Sequence, residues 1–427
     1  MNEEIRETRL DNGLVILSDR MAGVRSATIE FLFRVGARHE PTELNGITHF
    51  IEHCVFKGTA KRNAREIAAE QDRLGGNLDA FTTHEETGFV IKVVDDEFDK
   101  AFDLLSDMIG CPRFDEAELA SERRVIVEEI KMNEDSPEEV ISDIFHREFF
   151  PANPLGLTIT GTPETVASFN HRLTADFHRQ AFSPANLIIT AAGNVDHEHL
   201  VDLVRNSAFG IEQTDGSALN RKPLTPTIAA PISVEHRPDL EQAHLFMATP
   251  IVSARDPRRY AADLLTTILG GSTSSRLWQR VREERGLAYN IGTSTAMFLD
   301  CGFMAISAAS SPEHVSEIAA IVVDELGSIV HDGVSNVELE LMKDQTRASV
   351  LLGLEDSAGR AATLAQCEMV HGRHIPVSET LANLDAVTAE DVRLVAGEFF
   401  RSERLALVAL GDLEDISFTR GELNISG

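Results

Sequence analysis

Two histidines and a glutamate lie within five consecutive residues of this chain, in the order His49-Phe-Ile-Glu52-His53. On a helix, residues four apart share a face, so both imidazoles can reach one metal ion at a metal–nitrogen distance of about 2.0–2.1 Å. The order H-x-x-E-H is the reverse of the H-E-x-x-H signature found in many zinc peptidases. Such a pentad can also arise by chance, so the prediction of a metal site requires a third ligand.

The third ligand is expected on a second helix, which the apolar spacing predicts between Asp115 and Glu134. Glu122 and Glu129 fall on its apolar stripe, two turns apart. A carboxylate on a buried stripe is costly unless a cation or a hydrogen-bond donor meets it. Glu128 falls on a different face, so we expect Glu129 to be the ligand. The alternative, that these are solvated helix glutamates, would prevail without the upstream histidines.

The pentad, the two downstream glutamates and the sequences around them resemble a known family. They are similar to the pitrilysin family of inverzincin zinc metallopeptidases, which includes insulin-degrading enzyme and mitochondrial processing peptidase, and in particular to its short, two-domain bacterial branch. The resemblance implies that His49, His53 and Glu129 bind one zinc ion per chain. It makes Glu52 the general base, and it makes Glu122 the partner that accepts the other N–H of a ligating histidine.

These residues together would support the hydrolysis of peptides. When bound, zinc lowers the pKa of its water towards about 7 and polarises the scissile carbonyl. Glu52 would take the proton of that water and return it to the leaving amine. The sequence therefore predicts a zinc endopeptidase for short or unfolded peptides inside a closed dimeric chamber, or, more narrowly, a processing protease that removes leader segments.

Two other classes of function remain open at the level of sequence. The chain could be a non-catalytic or partner-dependent subunit of a heterodimeric processing peptidase, but such subunits usually lack parts of the motif. It could also be a peptide-binding chaperone with a structural zinc. A structural site needs four protein ligands, and the sequence offers three.

The elements that must position these residues recur in the same order in both halves. In the first half we expect strands at 27–33, 79–83, 88–94 and 186–192, with helices at 45–56, 97–109, 115–133 and 197–206. In the second half we expect strands at 243–249, 287–295, 302–308 and 405–411, with helices at 259–269, 312–329 and 336–352. Asn45 can cap the start of the pentad helix. The pattern predicts an α+β fold of two tandem homologous α/β-sandwich domains, each a mostly antiparallel sheet with helices packed on it, which the resemblance makes half of a clamshell.

The predicted domains are a catalytic zinc-binding domain at 1–215, a linker at 216–236 and a homologous inactive domain at 237–427. The linker is rich in proline, threonine and alanine. In the second copy, Asp-Leu-Leu-Thr-Thr at 263–267 takes the place of the pentad. We expect that half to bind no zinc there and to contribute substrate contacts and a dimer interface.

Two segments are expected to contact the substrate. The resemblance assigns Arg282 and Tyr289, seven residues apart, to substrate contact and to the developing oxyanion, although an exposed arginine and a core tyrosine are the alternative. We predict that an extended peptide pairs with the edge strand near the metal.

The family carries Asn-Ala-x-Thr on that edge strand. Here the corresponding residues are Asp79, Ala80, Phe81 and Thr82. The aspartate departs from the pattern, adds a negative charge near the cleft and puts any inherited side-chain contact at that position in doubt. An ordinary hairpin strand is the alternative.

The net charge restricts the partners. Lys plus Arg number 39 against 69 Asp plus Glu, which gives −30 and argues against nucleic acid or an anionic membrane. The acidity could attract basic peptides, or it could serve solubility alone. The first residues carry no visible targeting signal, and four scattered cysteines suggest a reduced compartment, so a cytoplasmic location is expected.

The resemblance also implies an assembly of two chains. Longer relatives close four such units around a chamber, whereas this chain has two. A homodimer, or a heterodimer with a paralogue, is therefore expected, in which Arg282 and Tyr289 of one chain reach the zinc of the other.

Overall fold

The computed structural model describes residues 3–211, 219 and 224–425. Within the predicted linker at 216–236, residues 216–218 and 220–223 lie outside the described residues. Met1 and Asn2 also lie outside the described residues, and they belong to the segment on which no targeting signal was expected. No helix in the described part of the chain is long and apolar enough to cross a membrane.

Eleven strands are found in the described residues. They are β1 (Ile5–Arg9), β2 (Val15–Arg20), β3 (Ser26–Phe33), β4 (Asn77–Thr82), β5 (Thr87–Val94), β6 (Leu187–Gly193), β7 (Ile232–His236), β8 (Ala243–Pro250), β9 (Ala288–Met297), β10 (Gly302–Ser310) and β11 (Ala406–Gly411). Most lie within two residues of the strands expected from the sequence, because buried alternating or apolar runs are a local signal.

Fifteen α-helices are found in the same described residues, together with short 3₁₀ helices. They are α1 (Ile47–Cys54), α2 (Ala64–Leu74), α3 (Phe98–Gly110), α4 (Glu116–Glu134), α5 (Pro137–Phe149), α6 (Pro163–Ser168), α7 (His171–Ala181), α8 (His197–Arg205), α9 (Ala208–Ile211), α10 (Arg259–Gly270), α11 (Val315–Asp332), α12 (Asn336–Gly353), α13 (Ser357–His371), α14 (Val377–Ala386) and α15 (Ala389–Phe399). A short π-helical turn covers Trp278–Glu283.

Both sheets follow one topology. The first has the order β1-β2-β6-β3-β5-β4, and the second has the order β7-β11-β8-β10-β9. In each, a single parallel pair joins otherwise antiparallel neighbours, β2 with β6 and β7 with β11. The second sheet thus repeats β2 to β6 of the first, and β1 is an addition. The predicted α+β fold of two homologous copies is confirmed.

The chain divides into two compact units that are not continuous in sequence. The first contains residues 1–132, 157–224 and 351–376, and the second contains 133–156, 225–350 and 377–427. These units differ from the predicted continuous domains at 1–215 and 237–427. Each half of the sequence contributes one helical segment to the unit built mainly from the other half.

Apolar packing explains why α5 belongs to the second unit. Phe145 and Phe149 are fully buried, and their rings lie 5.0 and 5.8 Å from the ring of Phe303 on β10. Burial of each such side chain contributes about 1.5–3 kcal/mol. The aromatic face of α5 is therefore buried against the second sheet.

Polar pairing holds α13 on the first unit. Arg360 contacts Asp19 of β2 at 2.8 Å, and both side chains are almost fully buried. Ser357 shares a hydrogen bond of 2.8 Å with Thr28 of β3. Because buried charges must be paired to be tolerated, these contacts specify which sheet α13 covers.

Candidate metal centre

Helix α1 carries both histidines of the pentad, and its start is fixed by a buried carboxylate. Gly46 has φ +92° at the N-cap, a left-handed conformation that favours glycine. Glu40 accepts hydrogen bonds from the backbone N–H groups of Gly46 and Thr48 at 2.7 and 2.8 Å. Burial raises the pKa of Glu40 to about 7. The predicted capping residue, Asn45, instead donates its side-chain amide to Glu40.

The predicted ligands His49, His53 and Glu129 are brought together, although they come from two helices far apart in sequence. One donor atom from each residue lies within 4.8 Å of the others. The Nε2 atom of His49 is 3.6 Å from Oε1 of Glu129, and the Nε2 atom of His53 is 3.6 Å from Oε2 of the same carboxylate. In the described part of the chain this is the one such group of metal-ligating residues.

These spacings fit a divalent metal better than a hydrogen-bonded cluster. A distance of 3.6 Å is too long for an N–H···O bond. Two donors held about 2.0–2.1 Å from one tetrahedral ion would be roughly 3.3–3.4 Å apart. Two imidazoles and one carboxylate are also a donor set that zinc accepts, and it leaves a fourth position open. The residues present therefore fit a zinc ion.

The two histidines differ in their electrostatic surroundings. Burial, with a smaller contribution from the neighbouring His53, lowers the pKa of His49 to about 3. Burial also opposes the charged form of His53, but the bond to Glu122 and the charge of Glu129 outweigh it and raise the pKa of His53. His49 is thus neutral, as a metal ligand must be.

Glu52 lies in the same turn as His53 and is almost fully buried. Its Oε2 atom accepts a hydrogen bond of 2.6 Å from the hydroxyl of Thr82 at the end of β4. Burial raises the pKa of Glu52, and the charges of Glu129 and Asp79 add to the rise, whereas the Thr82 bond opposes it. A carboxyl group with a raised pKa is a better proton acceptor, which suits a general base.

Glu122 contacts His53, one of the predicted ligands, at the ring nitrogen that faces away from Glu129. Its Oε2 atom is 3.4 Å from Nδ1 of His53, and its Oε1 atom is 2.9 Å from the ammonium of Lys57. Burial raises the pKa of Glu122, but these two partners outweigh it and lower the pKa overall. The carboxylate therefore stays charged and directs Nε2 of His53 towards Glu129. The buried Nδ1 of His49 has no corresponding partner among the described residues.

Replacing Glu122 by Gln is expected to weaken zinc binding by about 10- to 100-fold, because the amide cannot supply the charge that orients His53. Competition with a chromogenic chelator would measure the affinity. Glu118→Gln, one turn earlier on α4, is the matched control. Equal zinc affinity in both variants would contradict the orienting role.

The four residues predicted to bind substrate lie on β4, which is the outer strand of the first sheet. Asp79 is exposed, and its Oδ1 atom accepts a hydrogen bond of 3.0 Å from the backbone N–H of Ala80. Phe81 packs over Gly88 of β5, where a Cβ atom would come 2.3 Å from the phenyl ring. Thr82 contacts Glu52. An edge strand with exposed polar positions can accept a further strand.

Arg282 and Tyr289 lie in the second unit and touch each other. The guanidinium carbon of Arg282 is 4.6 Å from the centre of the Tyr289 ring and 4.2 Å from that of Trp278. Tyr289 is 80% exposed, so the alternative of a core tyrosine is wrong. Gly286, in the turn between the two residues, has φ +62°.

Four contacts in these two regions had no part in the sequence-based prediction. They involve Glu40, Lys57, Trp278 and the hydroxyl of Thr82. Lys57 stands four residues after His53, a helical spacing that could have suggested a shared partner. Trp278 likewise stands four residues before Arg282, and Glu40 lies within eight residues of its partners, so both contacts are local in sequence. The contact between Thr82 and Glu52 joins residues 30 positions apart and leaves no local signal.

Comparison with known proteins identifies the family. The model of the insulinase family, peptidase family M16, matches residues 15–163, and the model described as the peptidase M16 inactive domain matches residues 168–346. An uncharacterized zinc protease of Streptomyces coelicolor is 37% identical and covers 97% of this chain and 91% of its own length. An uncharacterized zinc protease of Bacillus subtilis is 34% identical and covers 95% and 98%.

Two solved structures share the fold. A protease from Helicobacter pylori superposes with a TM-score of 0.87 at 22% identity, covering 96% of this chain and all of the other. A peptidase M16 inactive domain from Pseudomonas fluorescens superposes with a TM-score of 0.89 at 17% identity, covering 97% of this chain and all of the other. With full-length relatives above 30% identity and two matching family models, this chain belongs to peptidase family M16, in its short, two-domain bacterial form.

Proposed function

We propose that this protein is a zinc-dependent endopeptidase that hydrolyses short or unfolded peptides. The observation that carries the proposal is the convergence of His49, His53 and Glu129 at spacings suited to one metal ion, with Glu52 in the same helical turn. The names of the relatives, which are called zinc proteases, support the same class of enzyme.

In the proposed mechanism the two histidines and Glu129 would hold one zinc ion, which when bound would acidify a water molecule and polarise the scissile carbonyl. Glu52 takes a proton from the attacking water and returns it to the leaving amine. Thr82 fixes the side chain of Glu52 by its hydrogen bond, so that the carboxylate keeps one orientation. Glu122 keeps His53 aligned throughout.

Substrate binding is proposed to use the free edge of β4. An extended peptide can pair its backbone with this edge, which gives affinity that does not depend on side-chain sequence. The exposed carboxylate of Asp79, together with the net charge of −30, favours peptides with basic residues. The preference for basic peptides is tested by comparing the cleavage of matched basic and acidic peptides. Equal kcat/KM for the two peptides at low ionic strength would contradict this preference.

Two chains are proposed to act together, as a homodimer or with a paralogue, so that Arg282 and Tyr289 of one chain meet the substrate at the zinc of the other. Sedimentation analysis of the active enzyme tests this assembly. A monomer with full activity would contradict it.

Removal of the metal is the first test of the proposed activity. A chelator is expected to abolish cleavage of an unstructured fluorogenic peptide, and stoichiometric zinc is expected to restore it, because three ligands leave the ion accessible to exchange. Mass spectrometry of the products would show internal cleavage. Undiminished cleavage by the metal-free protein would overturn the proposal.

A further inference from the structure

Arg282 makes cation–π contacts with two aromatic rings in the second unit, and the three side chains are called the Arg282 stack. The distances from its guanidinium carbon to the ring centres of Trp278 and Tyr289, 4.2 and 4.6 Å, are both within the range of about 6 Å that is typical of cation–π contacts. The family resemblance names the arginine and the tyrosine, but it does not name the tryptophan. Trp278 is the single tryptophan of the chain.

The backbone around this stack has an unusual local structure. Trp278–Glu283 forms a π-helical turn, in which the N–H of Glu284 donates to the carbonyl of Gln279 at 2.9 Å. Such turns are rare and occur frequently at functional sites. The stack therefore depends on a specific backbone geometry as well as on side-chain chemistry.

A carboxylate fixes the tryptophan side of the stack. The Oε1 atom of Glu283 accepts a hydrogen bond of 3.1 Å from the indole N–H of Trp278 and lies 3.7 Å from Nε of Arg282. Glu283 is the one ion-pair partner of Arg282 within the described part of the chain. The indole is thus held by its N–H while its face contacts the guanidinium.

The rim of the guanidinium remains available to a ligand. A cation–π contact engages the face of the planar group, whereas its N–H donors lie in the plane and can still bind oxygen acceptors. The Arg282 side chain is 30% exposed, and no hydrogen bond from its two terminal nitrogens to any described residue is found. An arginine fixed in this way loses little side-chain entropy when it binds, so its contacts are stronger.

We propose that Trp278 is a positioning residue of this peptidase: it holds Arg282 so that the terminal N–H groups meet an oxygen atom of the substrate peptide. The inference rests on the proposed function, in which Arg282 and Tyr289 contact the substrate. The indole acts through the arginine and does not itself touch the reacting atoms.

Steady-state kinetics provide the first test. Trp278→Leu is expected to lower kcat/KM by about 3- to 30-fold, the range that corresponds to a lost cation–π contact. Trp278→Phe keeps an aromatic face and is expected to stay within about 3-fold of the wild type. Arg285→Ala is the matched control, because Arg285 lies three residues beyond Arg282, is exposed and pairs with Glu317 outside the stack.

Tryptophan fluorescence provides a test that does not depend on turnover. In the Glu52→Gln background, which is expected to bind a peptide without cleaving it, saturation of the protein with that peptide is expected to shift the fluorescence emission of Trp278. The shift is expected because the Arg282 guanidinium that contacts the indole ring gains a new partner. The shift is expected to be absent in the Glu52→Gln, Arg282→Ala double variant. Anisotropy of a labelled peptide would establish saturation in each case.

The outcomes separate the inference from the proposed function. A shift in emission together with a defect in Trp278→Leu at unchanged zinc content and melting temperature would support the positioning role. A lowered melting temperature with unchanged kcat/KM would assign the indole to stability alone and overturn it. Unchanged emission on bound peptide would also overturn it. Failure of the proposed function would appear separately, as cleavage that persists in Glu52→Gln or without metal.

Discussion

Replacing Glu52 by Gln is expected to lower kcat for peptide cleavage by about 10²- to 10⁴-fold while the protein keeps its zinc. The amide has the same size as the carboxyl group but cannot accept a proton from the attacking water. The hydroxyl of Thr82 can still donate to the amide oxygen, so the local packing is expected to survive. A discontinuous cleavage assay would measure kcat, and elemental analysis of the same sample would measure the bound zinc.

Zinc content is the internal control for this substitution, because Glu52 is not one of the three converging ligands. Loss of metal together with activity would indicate that Glu52 belongs to the ligand set. Full activity with bound metal would exclude it as the general base.

Replacing Glu129 by Gln is expected to weaken zinc binding by more than the roughly 10- to 100-fold expected for Glu122→Gln. The reason is that one of the three proposed protein ligands loses its charge. The two imidazole nitrogens each stand 3.6 Å from this carboxylate, and no other carboxylate completes a ligand group with them in the described residues. Isothermal titration of the metal-free protein with zinc would measure the change.

Glu128→Gln is the matched control for Glu129. It removes the same charge one residue earlier, on an exposed side chain that pairs with Lys131. Its zinc affinity is expected to equal that of the wild type. If Glu128→Gln loses zinc and Glu129→Gln keeps it, the assignment of the ligand is wrong.

The sequence favoured Glu129 over Glu128 as the candidate ligand because helical periodicity is a local property. The stripe formed by Leu119, Ile126 and Ile130 is buried, and Glu122 and Glu129 share it. Glu122 is almost fully buried and contacts Lys57. The rule that a carboxylate on an apolar stripe needs a cation was therefore sufficient to single out both residues.

The helix exchange between the compact units had no comparable signal. Both α5 and α13 follow a long helix in their own half, and short connections usually place successive elements side by side. The side chains on each helix determine which sheet it covers. Phe145 and Phe149 of α5 pack against the second sheet, and Arg360 of α13 pairs with Asp19 on the first. Such complementarity joins residues hundreds of positions apart.

The sequence by itself predicted the three candidate ligands and determined the repeated order of strands and helices and the family, because each depends on residue types at short, regular spacings. Tertiary structure alone decided that Thr82 holds Glu52, that α5 packs on the second sheet and that α13 covers the first. These contacts depend on how a strand edge or a helix face approaches its neighbour. That approach is set by packing and pairing over the whole unit, and no local pattern encodes it.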